Sequence, residues 1–223
     1  MAKLTWDNLG EHYFETGIDH VVLYVEGSNG YESGVAWNGV TAITESPSGA
    51  EPTAIYADNI KYLNLLSNEE FALTLEALDS PDEFDSCDGS ALLVSAVPGV
   101  KMGQQKRKRF ALCYRSLVGN DTDGTDKGYQ IHIVYNCLAA PTERAHNTVN
   151  DTPETMTMSW SISTTPHEFT LANKEYKTAH VVLDSLTLNA TKLEGLLDKL
   201  YGTDTLSPTC QLPEDIATYI NTP

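Results

Sequence analysis

Residues 37–78 decide the fold, and they read WNGVTAITESPSGAEPTAIYADNIKYLNLLSNEEFALTLEAL. The stretch ends in two runs of strand character, at residues 60–66 and 71–75. In the second run apolar residues alternate with polar ones, which is the two-residue period of a half-buried strand. Ser67-Asn68-Glu69 lies between the runs and suits a tight turn. The sequence therefore predicts that these two runs pair as a β-hairpin.

A polar loop rich in proline and glycine precedes the predicted hairpin, from Glu45 to Asp58. Long irregular loops in compact all-β domains are usually functional or disordered. We expect this loop to dock on another copy of the same protein. Ile55 and Tyr56 would be its apolar anchors, and Glu45 and Glu51 would lie at the rim.

Length and charge narrow the class of protein. The chain has 223 residues, which suits a single domain over 1–223, and its formal net charge is −17. Such acidity argues against binding nucleic acid through phosphates, which requires a basic surface. No apolar run reaches the length of a membrane span, and the N-terminus has no apolar signal region. We expect no membrane association and a location in a cytoplasm or a packaged particle.

Strand patterns dominate the rest of the chain. Residues 1–17 show no clean period and are interpreted as an N-terminal arm that needs a partner surface. Further strands are predicted at Ile18–Val25, Val35–Ile43 with a break at Asn38-Gly39, Leu92–Val97, Phe110–Val118, Tyr129–Leu138 and His180–Leu183. Cys113 and Cys137 lie in such runs and are expected to be buried.

Residues 155–165, TMTMSWSISTT, alternate most regularly. Met156, Met158, Trp160 and Ile162 share one face, while serines and threonines share the other. This pattern predicts a strand with one face in the core and one face wet.

Three helical segments are predicted. A short turn would begin after Ser80 as N-cap, with Pro81 as its first residue, and end at Gly89. Asn189 would cap a helix with leucines spaced i, i+3, i+4 and i+7, and another helix would begin at Pro213. The predicted fold is mainly β, a β-sandwich or α+β arrangement of two antiparallel sheets with a flanking helix.

Motifs of catalysis are missing from the sequence. The four cysteines have no metal-ligand spacing, and HExxH, GxSxG, phosphate-loop and GxGxxG motifs do not occur. Asp121-x-Asp123-Gly124-x-Asp126 resembles part of a calcium loop, but the position of the bidentate glutamate is His132, so a hairpin turn is the plainer interpretation. The six histidines are interpreted as surface or strand-face residues. We expect no enzyme activity, no cofactor and no metal.

The basic run Lys106-Arg107-Lys108-Arg109 has two interpretations. It would contact an acidic protein partner, including another copy of this chain, or it is a solvated entry into the next strand.

Short motifs spread over most of the chain, in order, resemble the major tail tube protein of long, non-contractile-tailed bacteriophages. They are Gly34–Gly39, Glu45–Pro52, Tyr56–Tyr62, Pro81–Phe84, Cys87–Gly89, Gly103–Gln105, Gly119–Gly124, Val149–Glu154 and Tyr201–Asp204.

The resemblance implies two antiparallel sheets with a flanking helix and no catalytic residues. It implies six subunits closing into a ring, and rings stacking into a tube around a tape-measure protein. DNA would pass through the lumen without specific binding. Tail terminator and distal tail proteins are the further partners implied, with the protein in the virion tail and, during assembly, in the host cytoplasm.

Two other classes of function remain open from the residues. Tyr13, Tyr31, Tyr56 and the three tryptophans would form a stacking platform in a β-sandwich module that binds carbohydrate or another ligand. An uncharacterised hydrolase is the third class.

Overall fold

The computed structural model describes residues 3–94, 99–142, 144, 146, 148 and 155–222. The protein is mainly β, with 48% strand and 14% helix, which confirms the predicted fold class. The strands are β1 (Tyr13–Gly27), β2 (Gly30–Tyr31), β3 (Val35–Ala36), β4 (Val40–Glu45), β5 (Pro52–Ala57), β6 (Ile60–Leu66), β7 (Ala72–Ala77), β8 (Ala91–Leu92), β9 (Lys101–Met102), β10 (Phe110–Asn120), β11 (Gly124–Pro141), β12 (Met158–Ser163), β13 (His167–Leu171), β14 (Lys174–Thr178) and β15 (His180–Asp184). The helices are α1 (Asp85–Asp88), α2 (Ala190–Tyr201) and α3 (Pro213–Asn221), with a 3-10 turn at Asp82–Phe84.

Nine strands form a continuous antiparallel array that β11 divides into two sheets. In sheet I, β1 pairs with β2, β3 and β10, and β11 lies between β10 and β15. In sheet II the order is β11, β12, β7, β4. Residues 130–134 of β11 pair with β15, whereas residues 138–141 pair with β12. Asn136 lies between the two pairings with φ of 49°, so the strand changes sheets there.

The main core fills the space between the two sheets. Leu23 and Leu112 of sheet I pack with Leu75 and Trp160 of sheet II. Alternate residues of β1 point the other way, because side chains of a strand alternate between faces. Val22 and Tyr24 therefore lie in a second core under the helices.

The second core lies between sheet I and the C-terminal helices. Leu193, Leu196 and Leu200 of α2 are buried against this sheet, as the spacing of the leucines predicts. The Tyr135 hydroxyl donates to the Gln211 carbonyl oxygen at 2.8 Å, which ties sheet I to the segment before α3. The middle of sheet I, at β10 and residues 131–135 of β11, is thus buried on both faces.

The alternation in residues 155–165 is confirmed over β12. Met158, Trp160 and Ile162 are buried, while Ser161 and Ser163 are exposed. Met156 precedes the strand and is exposed.

The predicted pairing of residues 60–66 with residues 71–75 is wrong. β6 pairs with β5, and β7 pairs with β4 and β12. The residues Asp58 and Asn59, with φ of 51° and 64°, make the turn between β5 and β6. Asp and Asn tolerate this left-handed conformation, so the chain reverses eight residues before Ser67.

Two expected segments therefore have different bounds. The loop from Glu45 to Asp58 is irregular only in its first part, because Pro52–Ala57 forms β5, with proline at the first strand position. The N-terminal segment that was expected to be free at residues 1–17 is shorter, because β1 already begins at Tyr13 and pairs with β10.

Several further expectations are confirmed. They are the break at Asn38-Gly39, the strands around 110–118, 129–138 and 180–183, and the burial of Cys113 and Cys137. The strand expected at Leu92–Val97 is present only as β8, and residues 95–98 lie outside the described residues.

The helical turn before Gly89 is present, but its N-cap is Pro81 without a side-chain hydrogen bond. The expectation that Ser80 caps it is wrong, because Pro81 is still extended, at ψ of 150°, and the turn begins one residue later.

Replacing Asn189 by alanine should lower the free energy of unfolding by about 1 kcal/mol, because Asn189 caps α2. Its side-chain oxygen accepts from the backbone N–H groups of Thr191 at 3.1 Å and Lys192 at 3.2 Å. Urea denaturation of Asn189→Ala measures the effect. The control is Thr187→Ala, an exposed position that should change stability by less than about 0.5 kcal/mol. Equal losses in both variants would contradict the cap.

Candidate assembly surface

Residues 49–69, here named the arm, form a two-stranded β-hairpin of β5 and β6 that leaves the body of the protein. Its root is fixed by Ser48 and Glu70, which exchange two backbone hydrogen bonds of 2.8 Å. The two backbone segments of the hairpin lie very close together next to the root, since a Cβ on Gly49 would lie 2.1 Å from the Asn68 carbonyl oxygen. Glycine is therefore required at position 49, where φ is also 88°.

The arm exposes an unusual amount of apolar surface. Every residue of β6 is exposed. Seven large apolar side chains of the arm are 38–71% exposed, and they are Ile55, Tyr56, Ile60, Tyr62, Leu63, Leu65 and Leu66. A contiguous exposed apolar surface of this kind marks an interaction site.

Both faces of the arm are apolar. Ile55 and Leu63 are cross-strand partners on one face. Leu66 pairs with Pro52, each three residues from that first pair along its own strand, and so lies on the opposite face. A single flat contact would leave one face in water.

The predicted anchors Ile55 and Tyr56 lie on the arm, and Glu51 is exposed near its root. Glu45 instead contacts the interior of its own subunit, because its Oε1 accepts a hydrogen bond of 2.6 Å from the Tyr114 hydroxyl. Sequence reasoning missed the apolar residues of β6 as interface candidates, since it placed them in a half-buried hairpin. The Asp58-Asn59 turn between two apolar runs was the available signal.

The basic run precedes β10 and has contacts within the subunit. The Arg107 Nε–H donates to the Asp88 carbonyl oxygen at 3.2 Å. The Lys108 ammonium lies 3.8 Å from a Glu32 carboxylate oxygen. Lys106 and Arg109 are exposed. A role for these four residues between subunits stays a prediction.

Strand edges are open at both sides of sheet I. Among the described residues β15 pairs only with β11, and residues 13–20 of β1 pair only with β10. The end strand of sheet II is β4, and among the described residues it pairs only with β7. Open edges present unpaired backbone N–H and C=O groups that template pairing with another chain.

The segment before β1 is a second exposed apolar element. Leu4, Trp6 and Leu9 are 72–84% exposed. The segment is held at its end, where the Gly10 N–H donates to an Asp121 carboxylate oxygen at 3.0 Å. This bond lowers the pKa of Asp121.

The residues of the possible calcium loop have partners within the protein. Asp121 binds backbone N–H groups, and Asp123 forms an ion pair of 3.1 Å with Lys127. The arrangement is a hairpin turn between β10 and β11, as the plainer interpretation predicts.

Three of the six aromatic residues expected in a stacking platform are not available on the surface as a carbohydrate-binding module requires. Trp37 and Trp160 are buried in the main core, where their ring centroids lie 5.7 Å apart. Tyr31 is half-buried, with its hydroxyl 3.2 Å from the Asn136 side chain. That expectation is therefore wrong for these three residues.

Two of the six histidines contact each other. His132 on β11 is buried and His180 on β15 is half-buried, and both lie beside Glu45. Burial lowers the pKa of both imidazoles, while the Glu45 carboxylate opposes this effect. Among the described residues these three form the cluster whose spacing suits a metal ion.

No helix among the described residues is long and apolar enough to cross a membrane. No protein-family model matches the sequence, and no curated protein is significantly similar to it. One similar solved structure is a chain in the cryo-EM structure of the anti-feeding prophage baseplate, six-fold symmetrised. The two chains have 7% sequence identity and a TM-score of 0.37, and the match covers 81% of this chain and 97% of the other. A TM-score of this size does not establish a shared fold.

Proposed function

We propose that this protein is a non-enzymatic structural subunit, the major tail tube protein of a long, non-contractile phage tail. Six copies close into a ring, and rings stack into a tube. The arm is the single observation that carries the proposal, because it is a two-stranded hairpin with apolar side chains on both faces and no covering element among the described residues. The resemblance of the short sequence motifs to the tail tube family agrees with it.

A second copy of the chain is the occupant that fits these surfaces. Among the described residues sheet I ends in open edges on opposite sides, at β15 and at the first part of β1. Pairing such unlike edges head to tail continues the sheet from copy to copy, and a closed rotation gives a ring. A closed ring covers both of these edges of sheet I, so neither is left open to uncontrolled aggregation.

The arm then supplies the contact between rings. An element that projects from the body and is apolar on both faces is buried when it lies between two neighbours. The net charge of −17 suits a conduit that does not retain DNA, because duplex DNA is itself a polyanion. The tape-measure protein, the tail terminator and the distal tail protein are the further partners within this proposal.

Concentrated protein should form rings or tubes of uniform width that are visible by negative-stain electron microscopy. Added salt should favour them, because it screens repulsion between subunits of charge −17. Light scattering over a concentration series follows the same process in solution. A strictly monomeric protein at every salt and protein concentration, also with tape-measure protein present, would overturn the proposal.

A further inference from the structure

Two histidines and a glutamate from three strands meet where β4 ends. His132 comes from β11, His180 from β15 and Glu45 is the last residue of β4. Glu45 and His180 line an open cleft together with Phe71 and Pro166, so the cluster has a path to solvent.

The three ligand atoms form a small triangle. His132 Nδ1 lies 3.1 Å from His180 Nε2 and 3.6 Å from Glu45 Oε1, and His180 Nε2 lies 4.0 Å from the same oxygen. A tetrahedral zinc ion with bonds of about 2.0–2.1 Å holds its ligand atoms roughly 3.3 Å apart. The triangle therefore matches one face of such a tetrahedron once its longest side, from His180 Nε2 to Glu45 Oε1, shortens by about 0.7 Å.

Ser116 and Glu15 orient the imidazole of His132 through Nε2, the ring nitrogen that faces away from the cluster. Its Nε2 lies 3.0 Å from the Ser116 hydroxyl oxygen and 3.4 Å from a Glu15 carboxylate oxygen. The Ser116 hydroxyl donates to Glu15, so Ser116 Oγ accepts from Nε2–H of His132. This bond leaves Nδ1 of His132 unprotonated and facing the cluster. Hydrogen bonds of this kind, on the far nitrogen of a histidine, are a regular feature of metal sites.

We propose that Glu45, His132 and His180 bind one divalent transition-metal ion of the zinc type, with water from the cleft as a fourth ligand. Two imidazole nitrogens and a carboxylate oxygen are a donor set that zinc uses in proteins. Without metal, Nε2–H of His180 donates to Nδ1 of His132, and on binding the His180 proton moves to its own Nδ1. No net proton is released by that step.

The ion would connect the two sheets at the root of the arm. Glu45 belongs to sheet II and lies three residues before Ser48, whereas both histidines belong to sheet I. Metal binding should therefore raise the thermal midpoint by several degrees at saturating metal, since a ligand that binds only the folded state stabilises it. This inference does not depend on the formation of rings or tubes.

The test uses full-length protein stripped with a chelator and then titrated with ZnCl2 or CoCl2. Elemental analysis after dialysis should give one zinc per chain, and cobalt should give the visible absorption of a low-coordinate site. His180→Gln and Glu45→Gln should each lose saturable binding. Glu15→Gln should weaken binding by about 10- to 100-fold, because Glu15 positions His132 without touching the metal.

His167→Gln is the matched control, because His167 pairs with Glu214 at 3.1 Å and is not one of the three residues of the cluster. It should bind one zinc as the unchanged protein does. Circular dichroism reports whether each variant is folded, and His180→Gln is preferred to a change at the more deeply buried His132. Absence of saturable zinc or cobalt binding by the unchanged protein would overturn the proposal. So would unchanged binding by folded His180→Gln and Glu45→Gln.

Discussion

A subunit without its arm should fold normally and form no tubes. The change replaces residues 49–69 by Asn-Gly, so that Ser48 and Glu70 are joined by a two-residue hairpin turn. These two residues already exchange both backbone hydrogen bonds, so the closure fits the existing geometry. Apart from half-buried Ala54, the removed residues are exposed, and the main core loses nothing. Thermal melts should therefore change little, while electron microscopy should show no tubes.

Substitutions within β6 provide a matched pair. Tyr62→Ser with Leu66→Ser removes two exposed apolar side chains, which are 66% and 71% exposed. Lys61→Ser with Asn64→Ser removes two polar side chains from the same strand. The apolar pair should prevent tube growth and the polar pair should not. Normal tubes from the subunit without its arm would show that the arm is not the stacking element, and unfolding of that subunit would show that the arm belongs to the core.

Trp160→Ala should lower the free energy of unfolding by roughly 3–5 kcal/mol, which is the usual cost of removing a buried tryptophan side chain. Trp160 is 1% exposed and packs against Trp37 and Phe84, with ring centroids at 5.7 and 5.1 Å. Its indole N–H also donates to an Asp88 carboxylate oxygen at 3.0 Å. Urea denaturation measures the loss.

Two further variants separate the causes. Ser161→Ala lies on the exposed face of the same strand and should change stability by less than about 0.5 kcal/mol. Trp160→Phe keeps an aromatic ring but removes the N–H donor, so it should cost less than the change to alanine. If Ser161→Ala destabilised the protein as much as Trp160→Ala, β12 would be buried on both faces.

Local patterns were sufficient for the elements whose partners lie within the chain. The alternation of Met158, Trp160 and Ile162 identified a strand and its buried face. The leucine spacing after Asn189 identified α2 together with its cap. These patterns report burial directly, because the core that covers each element is part of the same subunit.

The same patterns gave the wrong partner for β6 and left the histidine cluster unseen. An apolar strand has the same sequence pattern whether its covering surface is in its own core or in another molecule, so the pattern of residues 60–66 predicts a hairpin with the next run instead of a projecting arm. His132 and His180 are brought together by the register of β11 with β15, in which His132 pairs with Val182 and Val134 with His180. Register across 48 residues of chain is a tertiary property that no local period encodes.

Strand β11 also constrains how the chain reaches its fold. Because β11 pairs with β10, β12 and β15, a one-residue slip against β10 would exchange Ile133 and Val134 between the two cores and misalign both sheets together. The short connection after Asn120 disfavours this slip. The Asn120 side-chain oxygen accepts from the backbone N–H groups of Thr122 and Asp123, which fixes the conformation of the turn between β10 and β11. Closing so short a loop costs little entropy. The hairpin of β10 and β11 is therefore the natural template in folding, onto which β1, β15 and β12 add by longer and slower loop closures.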